Sequence, residues 1–242
     1  MKRVTAESLL SAQQSSTYYD LLGKVLLVGN SSVGKSSLLY RLTENSFSDS
    51  LAVTIGVEFG TAYFSTKNDS RNTVVKAQIW DCAGQYKFQN IVNSYFHQAD
   101  IIIFVFDLTV GQSYVDLKGW VDRADKALNG RPHIKKIIGN KLDLASSGNG
   151  GDDDASNRAI ETDVAKLYAQ SIGAGYIEMS AKDSAEPFEK LLGECLSDAY
   201  CRFVAGEPLL HKSVYTKRTV TPKIVIPLDV TPEESNERKC CF

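Results

Sequence analysis

Between Lys24 and Val204 the chain alternates short apolar runs with longer helix-like stretches. The runs are "KVLLVG", "VKAQIWD", "IIIFVFD", "IKKIIGN" and "GYIEMS". They show little polar alternation, so they read as parallel strands buried on both faces, with intervening segments long enough for helical crossovers. The pattern predicts an α/β sandwich. Between the first two runs, "TIGVEFGTAYFSTKNDSRNTVV" reads as a strand and a polar turn leading back antiparallel into "VKAQIWD", adding an edge hairpin to a mostly parallel sheet. Two segments fall outside this plan. "ASSGNGGDDDASNR" at 145–158 is small, polar and acidic, the composition of an exposed loop. After Gly206 the chain holds four of its six prolines and mixes both charge signs, so 205–242 reads as an extended linker, with 1–21 as an N-terminal extension and 22–204 as the folded domain.

Composition narrows the function. A net charge of −2 gives no basic stripe to attract nucleic acid, and none is expected as a partner. The five cysteines, at 82, 195, 201, 240 and 241, lack CxxC pairs and nearby histidines, so neither a disulfide framework nor a zinc site is suggested. The first twenty residues contain no secretory apolar stretch and position 2 is not glycine, which points to the cytosol. The longest strongly apolar run, "IIIFVF", is far short of the roughly 20 residues that span a bilayer. Membrane attachment would have to be covalent or through partners.

The chemistry starts after the first strand. "GNSSVGKSS" satisfies GxxxxGK[ST] at Gly29, Gly34, Lys35 and Ser36, with Ser31, Ser32, Val33 and Ser37 completing the loop. Backbone amides of such a loop and the following helix N-terminus point at a polyphosphate; Lys35 would neutralise its outer phosphates and Ser36 would bind Mg²⁺. The plain alternative is a glycine turn beside a solvated lysine. The base is read elsewhere, in "NKLD" at Asn140 to Asp143. The Asp143 carboxylate can accept from both the ring N–H and the exocyclic amine of guanine, a donor pair adenine lacks. Beyond Lys141, "EMSAK" brings Ser180, Ala181 and Lys182, with the Ala181 amide placed to meet the guanine carbonyl.

These residues resemble the Ras superfamily of small GTPases and, within it, the Rab family of membrane-traffic switches. The resemblance covers about 22–204 and rests on "GNSSVGKS", "TIGVEF", "WDCAGQ", "NKLD" and "EMSAK" in order. It implies a P-loop GTPase domain with a six-stranded, mostly parallel sheet, one antiparallel edge strand and helices on both faces. It also implies a GTP/GDP switch with Mg²⁺. Carried over by position, Phe47 would stack on guanine, Thr54 and Asp81 would join Ser36 at Mg²⁺, and Gly84 would touch the γ-phosphate. Gln85 would orient the attacking water, the catalytic role. Phe59, Trp80 and Tyr95 match an aromatic triad that reports the switch state to effectors. The implied partners are an exchange factor, an activating protein, effectors, a GDP dissociation inhibitor and the prenylation machinery, with the protein itself a monomer.

The chain also departs from its family. "WDCAGQYKF" places Cys82, Tyr86 and Lys87 where "WDTAGQERF" is frequent, and Asn30 replaces a frequent acidic residue. No arginine between Asn45 and Gly56 reaches the reaction in cis, so full hydrolysis is expected to need a partner's. Lys239 rules out CaaX processing, but the terminal Cys240 and Cys241 resemble the double geranylgeranylation site of Rab proteins. Two lipid chains anchor stably where one is marginal. The expected location is the cytoplasmic face of internal membranes, with cycling through the cytosol. Two other readings stay open: a GTP-dependent scaffold that does not hydrolyse, and an ATP-using P-loop enzyme.

Overall fold

The computed structural model describes residues 19–68, 71–146, 157–212 and 225–228, with the side chains of 66–68, 71–72 and 225–228 left aside. The elements are β1 (Leu21–Val28), α1 (Lys35–Glu44), β2 (Val57–Asn68), β3 (Arg71–Cys82), α2 (Gln89–Phe96), β4 (Ile101–Asp107), α3 (Gly111–Val115), α4 (Leu117–Leu128) and β5 (Ile134–Asn140). They continue through α5 (Leu142–Ala145), α6 (Thr162–Ser171), β6 (Gly175–Glu178), α7 (Glu186–Val204), β7 (His211–Lys212) and β8 (Val225–Leu228). A single turn of 3₁₀ helix, Tyr86–Phe88, precedes α2.

The sheet runs β6-β5-β4-β1-β3-β2-β8. Strands β3, β1, β4, β5 and β6 are parallel to one another, and β2 lies antiparallel to β3, with Phe59 opposite Trp80. The apolar runs work as strands because successive side chains serve opposite faces. In β4, Ile101, Ile103 and Val105 enter one core, while Ile102, Phe104 and Phe106 enter the other. β1 does the same with Val25 and Leu27 against Leu26 and Val28. The first core is closed by Leu38 and Leu42 of α1 and by Phe188, Leu192 and Leu196 of α7. The second is closed by Val92 and Phe96 of α2, Trp120 and Ala124 of α4, and Ala165 and Ala169 of α6. Helices thus cover both faces, and the loops at the carboxyl ends of the parallel strands are gathered at one edge, where open α/β sheets bind ligands.

Two strands exceed the six expected. The chain does not leave the domain after Val204: Leu209 and Leu210 are 0% and 4% exposed, and His211–Lys212 pairs antiparallel with Leu22 and Leu21. The reason is local. Gly206 turns the chain at φ 94°, Arg202 grips Glu207 through two guanidinium nitrogens, and Leu210 then has apolar space in the first core to fill. A Cβ on Gly23 would stand 2.9 Å from Leu210 Cδ2, so the strap needs that glycine's missing side chain. Farther on, β8 pairs in parallel with Tyr63–Thr66 of β2, covering what was expected to be the sheet's edge. Among the described residues no helix is long and apolar enough to cross a membrane.

Candidate functional site

A cleft of about 350 Å³ opens where the loops after β1, β3, β5 and β6 meet, lined by the phosphate loop, residues 47–49 and 51–54, Gly84, Asn140, Lys141, Asp143, Ala181 and Lys182. Its floor is the turn from β1 into α1. Gly29 and Gly34 adopt φ 148° and 97°, and Ser32 reaches 65°. A Cβ at Gly29 would stand 2.1 Å from the Val105 carbonyl oxygen, and one at Gly34 would strike the Asn140 side chain. Both glycines are therefore required by close approach as well as by backbone shape. Lys35 is buried, and its ammonium donates to the carbonyls of Gly29 (3.0 Å) and Asn30 (2.6 Å). Burial pushes its pKa down, partly opposed by Asp81.

Beside the lysine, three oxygens converge from three segments. Ser36 Oγ donates to Asp81 Oδ2 at 2.5 Å, Thr54 Oγ1 donates to the same atom at 3.1 Å, and the two hydroxyls lie 2.7 Å apart. Asp81 is wholly buried at the end of β3, and its second oxygen, Oδ1, has no hydrogen-bond partner. Burial raises the pKa of this carboxyl, with Ser36, Lys35 and Thr54 acting against the rise. A buried carboxylate oxygen left unpaired is costly unless something fills its lone pairs. Two hydroxyls and one carboxylate are hard oxygen donors suited to Mg²⁺, which typically takes one or two carboxylates and completes its shell with water and substrate phosphates. Among the described residues there is no cluster of three His, Cys, Asp or Glu to hold a softer metal instead.

The segments before β2 and after β3 meet over the loop. Ala83 N–H donates to Gly56 O at 2.9 Å, tying the segment before β2 to the one after β3. A Cβ on Gly84 would stand 2.2 Å from the backbone of Asn30 and Ser31, so this glycine rests directly on the phosphate loop. Gln85 follows it in the chain but is not among the residues lining the cleft. Outside, Val53, Ile55, Phe59 and Tyr86 stand exposed, at 56%, 78%, 59% and 84%. Phe59, Trp80 and Tyr95 form one contiguous aromatic row, with ring centroids 5.2 and 5.3 Å apart.

At the other end of the cleft, Asn140 acts as a brace. It is buried at the end of β5, donates to Val33 O at 2.8 Å and accepts from Ala181 N–H at 3.2 Å. The Ala181 amide, expected at a guanine carbonyl, is engaged here by Asn140. Lys141 adopts φ 65° and pairs with Asp107 at 2.6 Å. Ser180 Oγ accepts from the amides of Lys182 and Asp183, shaping the loop rather than lining the cleft. Phe47 both lines the cleft and packs on the core, beneath the Arg41 guanidinium. Arg41 Nε also donates to the Ala181 carbonyl at 2.9 Å, linking α1 to this loop.

Several contacts were invisible in the sequence. Arg158 donates to both oxygens of Glu178, which also accepts from Thr162 and Tyr176. This network fastens the return of the 145–158 loop, of which 147–156 lie outside the described residues. Asn30 reaches Asp116, which caps α4, and Trp120 within it. Cys195 is buried as a small hydrophobe, its thiol pushed up to about 12 by burial. Cys240 and Cys241 lie outside the described residues.

The parallel sheet, glycine loop and oxygen trio define a P-loop nucleotide-binding protein. The model of the Ras family matches residues 24–198. The chain is 41% identical to GTP-binding protein YPTM1 of Zea mays over 230 residues, 93% of this chain and 99% of that one. It is 39% identical to Ras-related protein RABD2a of Arabidopsis thaliana, covering 69% and 74% of the two chains, and 36% identical to Ras-related protein Rab-1C of Dictyostelium discoideum, covering 78% and 89%. The chain belongs to the Ras family and is a Rab-type small GTPase.

Proposed function

We propose that this GTPase works as a Mg²⁺-dependent GTP/GDP switch whose exposed aromatic row meets effectors in membrane traffic. The observation that carries the reading is the convergence of Ser36, Thr54 and Asp81 beside Lys35, with the buried Asp81 Oδ1 unpaired. Ser36, Thr54 and Asp81 would hold the ion, which would neutralise charge on the outer phosphates. The phosphate-loop amides and Lys35 cradle the polyphosphate, while Phe47, Asn140, Lys141, Asp143, Ser180, Ala181 and Lys182 form the base end. Gln85 orients water for attack on the γ-phosphate. Thr54 and Gly84 take their hold on that phosphate, so its loss frees two segments already joined through Gly56 and Ala83. The surface around Ile55, Phe59 and Tyr86 then changes with the nucleotide.

The regulators that fit this cycle are an exchange factor, an activating protein and a GDP dissociation inhibitor. Geranylgeranyl groups on Cys240 and Cys241, added by the prenylation machinery, would hold the protein on internal membranes. Single-turnover GTP hydrolysis with Mg²⁺, run beside Gln85→Leu, tests the chemistry: slow GDP formation that falls at least tenfold in the variant supports it, on the order expected for a positioning group. GTP retained by both would favour a non-hydrolysing scaffold. Deleting Cys240 and Cys241 should leave nucleotide binding intact and move the protein from membrane to soluble fractions; persistent attachment would contradict the lipid anchor.

A further inference from the structure

The first non-glycine residue of the phosphate loop is gripped from outside the cleft. Asn30 Nδ2–H donates to Asp116 Oδ2 at 2.6 Å, and Asn30 Oδ1 accepts from Trp120 Nε1–H at 3.0 Å. Its main-chain carbonyl, in turn, receives the Lys35 ammonium at 2.6 Å. Both α4-side partners are fixed. Asp116 accepts a second bond from Gln112 at 2.8 Å on its other oxygen. Trp120 is 2% exposed, and the Arg123 guanidinium covers its ring at 4.1 Å. Neither residue lines the cleft.

An amide suits this position because it faces an acceptor with one end and a donor with the other. A carboxylate at position 30 could still take the indole N–H but would oppose the Asp116 carboxylate. An apolar side chain would leave the buried indole N–H unpaired. The peptide so held has two duties: its carbonyl receives Lys35, and its backbone is the surface on which Gly84 rests.

We propose that Asn30, Asp116 and Trp120 form a positioning clamp that sets the phosphate loop, and with it the Lys35 ammonium and the seat of Gly84, from helix α4. The clamp touches no nucleotide. It acts through the loop on polyphosphate retention, and this rests on the reading of the cleft as the guanine nucleotide site. Through the Trp120 ring, the position of Arg123 on the outer face of α4 bears on the same loop.

The test uses the full chain loaded with a fluorescent GDP and Mg²⁺, comparing wild type, Asn30→Asp, Asp116→Asn and the double variant. Nucleotide release, the ³¹P resonance of the bound β-phosphate and thermal unfolding are recorded for each. Asn30→Asp should speed release roughly tenfold and shift the resonance, and adding Asp116→Asn should restore both, since the donor and acceptor are then exchanged rather than lost. Trp120→Phe, which keeps the ring but removes the N–H, should speed release roughly threefold. Release unchanged in Asn30→Asp, or no recovery in the double variant, overturns the clamp. A fall in unfolding temperature without a change in the resonance reduces the trio to a structural contact and overturns it equally. A wild-type chain that holds no guanine nucleotide would instead remove the reading of the cleft, and the clamp with it.

Discussion

Two buried aspartates stand at opposite ends of the sheet, and their surroundings differ. Asp81 and Asp100 are both fully buried, and burial raises the pKa of each. At the base, both oxygens of Asp100 are occupied. Oδ2 accepts from Lys24 N–H at 2.8 Å, and Oδ1 accepts from Arg131 at 3.1 Å and Leu210 N–H at 3.2 Å. At the cleft, the bonds to Asp81 all fall on Oδ2 and leave Oδ1 without a partner. The first carboxylate is a rivet joining β1, β4, the turn before β5 and the strap after α7. The second is incomplete in the protein alone, which is what a ligand site built from rigid elements looks like.

Asp81→Asn should weaken Mg²⁺-dependent GDP binding by more than the roughly 10- to 100-fold typical of residues one shell removed from a metal. Its effect on unfolding without nucleotide should be small, because the substitution relieves an ill-satisfied buried charge. Asp100→Asn should do the reverse. An amide in place of one oxygen turns a donor toward donors, at a cost on the order of 3 kcal/mol in unfolding free energy. GDP release should change less than about twofold, as expected for sites that share no partners. Equal losses of binding in the two variants would erase the distinction drawn here.

Burial raises the pKa of Asp100 although Lys24, His211, Arg131 and Leu210 pull it down, so the folded state holds its proton to higher pH than the unfolded chain. The folded state therefore binds more protons in the window above the ordinary carboxyl value near 3.8, and this group's contribution to stability falls as pH rises through it. Against Asp100→Asn, which has no proton to lose at that position, the stability advantage of wild type should shrink from low pH upward through that window. Denaturant unfolding of the two proteins across the acid range measures it; an advantage that grew with pH would contradict the sign.

Much of the upper end of the molecule was legible in the chain. Strands β1, β3, β4, β5 and β6 follow from apolar runs that must feed two cores, and the cleft from glycine, hydroxyl and carboxylate motifs set at strand ends. The Ras-family match agrees with the fold so read. The base was not legible. Leu209 and Leu210 are too short a pair to carry a periodicity, and the prolines and mixed charges around them are those of a linker. Only the space left by Gly23 and the bond that Leu210 N–H donates to Asp100 offset the strap's ordering entropy. Asn30 was hidden for a different reason. Its partners, Asp116 at the cap of α4 and Trp120 one turn into that helix, lie about ninety residues away, and nothing local to either segment announces the contact. Asn140 was readable as a motif residue, but not as the brace between Val33 and Ala181.

The most direct test of the account is GDP release from wild type, Asp81→Asn and Asp100→Asn, each with excess Mg²⁺ and after chelation. If the vacant oxygen of Asp81 belongs to a cation that holds the nucleotide, chelation should speed release at least tenfold in wild type and in Asp100→Asn, with little further effect in Asp81→Asn. Release from wild type at the same rate with and without Mg²⁺ would contradict it.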